Sequence, residues 1–131
     1  MRLIRVMLVE CEALVALRQM MDLAAQGFVL CGWVSSGEEA VQLAREKQPD
    51  VALMDVRLTG QMDGIEALRQ IRAFSNMPVM IVASCDDDEL RQRVLALRPS
   101  AYLVKPVEGY ALAAAIRALL NGQITHDPPA P

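Results

Sequence analysis

Reactive side chains follow four apolar runs of strand length. Glu10 follows Ile4 to Val9, Asp55 ends Val51-Ala52-Leu53-Met54-Asp55, Ser84 and Cys85 follow Val79 to Ala83, and Lys105 follows Ala101 to Val104. Two acids held together bind a hard divalent cation, and an ammonium beside an acid stabilises negative charge added to it, such as a phosphoryl group. The pattern outlines an aspartyl-phosphate site with Asp55 at its centre.

For these groups to meet, the strands must end along one edge of a sheet. In open α/β sheets ligands bind at the carboxyl edge, and in the doubly wound order 2-1-3-4-5 the first and third strands are neighbours at the topological switch point. Glu10 and Asp55 then share a crevice that Lys105 approaches from the other side.

The intervening segments supply the helices this arrangement needs. Leu14, Leu17 and Met21 recur at helical spacing before Gly27, and Phe28 to Val34 reads as a second strand. Ser36 with Glu39, and Asp63 with Glu66, have the form of capping boxes. They open helices whose apolar positions are Ala40, Val41, Leu43 and Ala44, then Ile65, Leu68 and Ile71. Asp86, Asp87 and Asp88 put negative charge at the start of a helix with Leu90, Val94 and Leu97 inward. Leu112, Ile116 and Leu119 mark the last helix, which Asn121-Gly122 ends. Strands alternating with helices, with apolar runs throughout, predict an α/β fold: a five-stranded parallel sheet covered on both faces.

Composition narrows the function. The 131 residues suffice for one core, and 53% hydrophobic against 22% charged residues excludes a disordered chain. A net charge of −3 without Lys/Arg clusters argues against direct nucleic-acid binding. No apolar run approaches a membrane span and the start is too short for a signal peptide, so no membrane association and a cytoplasmic location are expected. Cys11, Cys31 and Cys85 show no Cys-x-x-Cys spacing, against a disulfide framework or zinc site. Cys31 reads as a small core residue. Gln123 to Pro131, with three prolines, reads as a disordered tail or linker stub after a domain over 1–122.

Five segments together resemble a response-regulator receiver domain of two-component signalling: Val6-Met7-Leu8-Val9-Glu10, Leu53-Met54-Asp55-Val56-Arg57-Leu58, Met62-Asp63-Gly64-Ile65-Glu66-Ala67-Leu68, Pro78 to Val82, and Ala101-Tyr102-Leu103-Val104-Lys105-Pro106. The resemblance covers about residues 3 to 121. It implies a flavodoxin-like three-layer sandwich and a non-enzymatic signalling module. Asp55 would accept a phosphoryl group from the phosphohistidine of a sensor histidine kinase or a phosphotransfer protein, and Lys105 would pair with the phosphorylated acid. Magnesium would be held by Glu10, Asp55 and the backbone carbonyl of Arg57. Tyr102 would be the rotating aromatic of the output face, and the bond before Pro106 a cis peptide.

The sequence departs from that family at two functional positions. Where a pair of acids follows the first strand it has Glu10-Cys11, and a neutral thiol is a poor magnesium ligand, so metal binding should be weakened or lost. Where a Ser or Thr hydroxyl follows the fourth strand it has Ala83. Ser84 is adjacent, but successive strand residues face opposite ways, so it cannot substitute without a bulge. Two readings compete: a receiver that accepts phosphate on Asp55 with impaired magnesium binding and switching, or a phosphorylation-independent pseudo-receiver used for protein contacts. A redox or soft-metal role for Cys11 and Cys85 is a third, disfavoured because the first and fourth strands are not neighbours. The output partner is unspecified, and homodimerisation through the last helix stays open.

Overall fold

Runs dense in Val, Ile, Leu and Met suit strands covered on both faces, since alternate side chains then need apolar partners above and below. The structure, a computed structural model, describes residues 2–122. The segment expected to be a tail lies outside the described residues. Strands and helices alternate: β1 (Arg5–Val9), α1 (Ala13–Ala25), β2 (Val29–Val34), α2 (Gly37–Lys47), β3 (Val51–Asp55), α3 (Gly64–Arg72), β4 (Val79–Ala83), α4 (Asp88–Leu95), β5 (Ser100–Val104) and α5 (Gly109–Leu120). All strand pairings are parallel, in the order β2-β1-β3-β4-β5. This is the doubly wound flavodoxin-like sheet that the sequence implied.

Alternation along the strands feeds two separate cores. Met7, Val9, Ala52, Met54 and Ile81 pack with α2, α3 and α4 on one face. Val6, Leu8, Leu53, Met80 and Val82 pack with α1 and α5 on the other. Every residue of β3 and β4 is buried, so the strand that ends on Asp55 is fixed from both sides. Register finishes the placement: Val9 pairs with Met54, which brings the residues just beyond β1 beside the end of β3.

Side chains cap three helix starts. Ser36 Oγ accepts from the Glu39 N–H at 3.1 Å, Asp63 Oδ1 from the Glu66 N–H at 2.8 Å, and Asp87 Oδ1 from the Leu90 N–H at 3.1 Å. Among the described residues no helix is long and apolar enough to cross a membrane.

Two sequence expectations need correction. The spacing of Leu14, Leu17 and Met21 marks the outer face of α1, where they are 82%, 51% and 62% exposed, while Ala16, Gln19 and Leu23 point inward. Helices α1 and α5 are in contact, and Ala16 and Ala113 both lie in the core on that face of the sheet. Strand β2 is also not buried throughout. It is the sheet edge, and Cys31 there packs against the core while half-buried.

Candidate functional site

The carboxyl edge of the sheet gathers two acids and one ammonium. Glu10 is 1% exposed and Asp55 9%. Lys105 Nζ donates to Asp55 Oδ2 at 2.6 Å and to Glu10 Oε1 at 3.4 Å. Burial alone would penalise both carboxylates heavily, so the ammonium between them is what lets them share the pocket. Backbone donors hold the remaining oxygens: the Arg57 N–H reaches Asp55 Oδ1 at 3.1 Å, and the Glu12 N–H reaches Glu10 Oε2 at 3.3 Å.

The local electrostatics follow from this crowding. Burial, then the charge of Asp55, raises the Glu10 pKa above the ordinary glutamate value despite the nearby Lys105. For Lys105, burial works toward deprotonation, but the hydrogen bond to Asp55 and the charges of Asp55 and Glu10 outweigh it, and the net shift is upward. Burial and the negative charges of Glu10 and Asp55 push the Cys11 thiol up, so it is neutral at pH 7.

Elements behind the pocket hold it in place. Gly64 opens α3 against the back of Asp55, where any Cβ would collide with the Asp55 carbonyl oxygen. The Trp33 Nε1–H of β2 donates to the Glu10 carbonyl at 3.0 Å. On the other side the Lys105 N–H donates to the Ala83 carbonyl at 2.8 Å, and the Lys105–Pro106 peptide is cis.

The remaining candidates are dispersed around this centre. Cys11 Sγ donates to the Arg57 carbonyl at 3.4 Å. Ala83 is buried, whereas Ser84 and Cys85 are exposed. A cavity of about 150 Å³ lies beside Asp55, lined also by Arg57, Ser84, Cys85 and Asp87. A larger groove of about 320 Å³, between α1 and the loop after β5, reaches Lys105 but not Asp55. Tyr102 is fully buried, its hydroxyl donating to the Cys85 carbonyl at 2.8 Å, with the Arg91 guanidinium 4.7 Å from its ring centre.

The donors that a magnesium ion would meet here are two carboxylates and the Arg57 carbonyl, with a thiol at position 11. Hard cations need several charged or carbonyl oxygens converging with nothing between them. Here the Lys105 ammonium pairs with both carboxylates, and the Arg57 carbonyl accepts one hydrogen bond from the Cys11 thiol. Among the described residues no group of three or more His, Cys, Asp and Glu side chains could hold a metal ion.

Three contacts at the site had no signature in the sequence: Trp33 on Glu10, Cys11 on Arg57 and Arg91 on Tyr102. Each joins residues far apart in the chain or uses an aromatic ring or thiol whose direction spacing does not reveal.

Comparison with known proteins agrees with this geometry. Residues 6–117 match the family described as "Response regulator receiver domain". The chain is 37% identical over 123 residues to the transcriptional regulatory protein LiaR of Bacillus subtilis, covering 92% of this chain and 58% of LiaR. It is 34% identical over 125 residues to the response regulator GacA of Pseudomonas viridiflava, covering 92% and 57%. The chain thus spans somewhat over half the length of these relatives. Among solved structures, the signal receiver domain of a modulated diguanylate cyclase from Desulfovibrio desulfuricans G20 superposes with a TM-score of 0.83 at 32% identity, over 93% of this chain and 97% of that one. With the matched region running from β1 into α5, the chain belongs to the response-regulator receiver domain family of two-component signalling.

Proposed function

We propose that the chain, acting in the cytoplasm, accepts a phosphoryl group on Asp55 from a sensor histidine kinase or phosphotransfer protein, with both its magnesium binding and its switching impaired. The observation that carries this reading is the 2.6 Å contact between Lys105 Nζ and a nearly buried Asp55 carboxylate at the carboxyl edge of the sheet. In the reaction an Asp55 oxygen attacks phosphorus, and the bond from phosphorus to the donor's histidine nitrogen breaks with its electron pair leaving on that nitrogen. Lys105 offsets charge on the transferred group. The site supplies no hydroxyl at Ala83 to bind it.

Receiver domains typically use magnesium in phosphorylation. Impairment here is argued from the neutral thiol at position 11 and from the lysine between the two acids. Incubating the protein with acetyl phosphate and weighing it intact tests the reading: one phosphoryl adduct in the wild type and none in Asp55→Asn is expected. No adduct in the wild type at any magnesium concentration would overturn it.

A second reading, a pseudo-receiver whose output face makes phosphorylation-independent protein contacts, is favoured by one arrangement. Tyr102 is held by the Cys85 carbonyl and by Arg91, neither of which depends on Asp55.

A further inference from the structure

The segment after β1 and the loop after β3 meet beside Asp55, and what joins them there differs from what an acidic position 11 would require. An ionised carboxylate only accepts hydrogen bonds, and so does a carbonyl oxygen. Facing each other, the two would need a cation or a water between them. A thiol brings its own proton, and Cys11 Sγ bonds the Arg57 carbonyl directly at 3.4 Å.

The bond is part of a chain that ends on the candidate acceptor. The Arg57 N–H donates to Asp55 Oδ1 at 3.1 Å, so Arg57, two residues beyond Asp55, is tied at its carbonyl to Cys11 in the segment after β1 and at its amide to the acid itself. Farther along, the Thr59 N–H and hydroxyl both donate to the Ser35 carbonyl, at 3.1 and 2.9 Å. The two acids meanwhile share the Lys105 ammonium. Each oxygen that would otherwise converge on a cation already has a proton donor from this chain.

We infer that Cys11 is a positioning residue: together with Lys105 it performs the bracing a divalent cation would perform, so the loop after Asp55 is ordered in the metal-free protein and insensitive to magnesium. The inference rests on reading Glu10, Asp55 and the Arg57 carbonyl as the metal position, but not on Asp55 being phosphorylated. It is therefore tested without any phosphodonor.

Amide hydrogen exchange at Arg57 and Thr59 reports on the loop. Trp33, the only tryptophan in the chain and bonded to the Glu10 carbonyl, reports by fluorescence on a cation reaching Glu10. In metal-free wild type these amides should be protected, and magnesium chloride should change neither their exchange nor the emission. In Cys11→Ala they should exchange about twofold to tenfold faster, the range that corresponds to one hydrogen bond of modest net strength. In Cys11→Asp they should exchange faster without metal and regain protection, with a saturable Trp33 signal, as magnesium is added. The inference is overturned if magnesium slows exchange in the wild type, or if Cys11→Ala exchanges at the wild-type rate. The wild-type titration alone tests the insensitivity to magnesium, and the comparison with Cys11→Ala tests the brace.

Discussion

Lys105 shows how one side chain sets the chemistry of the whole pocket. Among the described residues its ammonium is the one cation paired with the two buried carboxylates, and its pKa is raised above the ordinary lysine value of 10.5 by Asp55 and Glu10 once their pull exceeds the cost of burial. A basic group raised on folding contributes stability that is complete below its unfolded value and is lost as pH rises through its folded value. Urea midpoints of the wild type should therefore fall more steeply above about pH 10.5 than those of Lys105→Met. Parallel pH profiles would show that the ion pair contributes nothing. The convergence of Glu10, Asp55 and Lys105 was legible because each follows an apolar run and the sheet edge collects strand ends. The Cys11 contact was not, since the sequence gives a thiol's identity but not the direction of its proton.

Among the elements, those with one apolar stripe could be read and those apolar on several faces could not. In α3, Ile65, Leu68 and Ile71 lie on the buried face with Gly64 and Ala67, because the other four positions are polar. In α1 nearly every position is apolar or small, so periodicity admitted the wrong face, and packing against α5 decided. The role of Arg72 at the end of α3 was equally hidden. Its half-buried guanidinium donates to the carbonyls of Ser75, Met77, Leu97 and Pro99, joining α3 to the entries of β4 and β5. Helix α4 carries the prediction at this scale. Arg91 pairs with Asp86 at 2.5 Å while covering the Tyr102 ring, a cation–π contact of roughly 0.5–2 kcal/mol. With only two tyrosines in the chain, ring-labelled NMR can follow Tyr102 directly. One narrow set of Tyr102 signals is expected in the wild type, and broadened or doubled signals in Arg91→Ala. An unchanged Tyr102 ring in that variant would remove Arg91 from any account of the output face.

At the scale of the whole molecule, two cores on either side of one parallel sheet leave its carboxyl edge as the natural place for chemistry, and the match over residues 6–117 agrees with that architecture. We propose that Asp55, paired with Lys105, is a working acceptor despite the altered surroundings. Treating the wild type with acetyl phosphate, reducing the product with borohydride and mapping the peptides locates any acyl phosphate, because reduction converts a phosphorylated aspartate to homoserine. Homoserine at position 55 and at no other aspartate is the predicted result. Homoserine elsewhere, or unaltered Asp55 in every peptide, would contradict it.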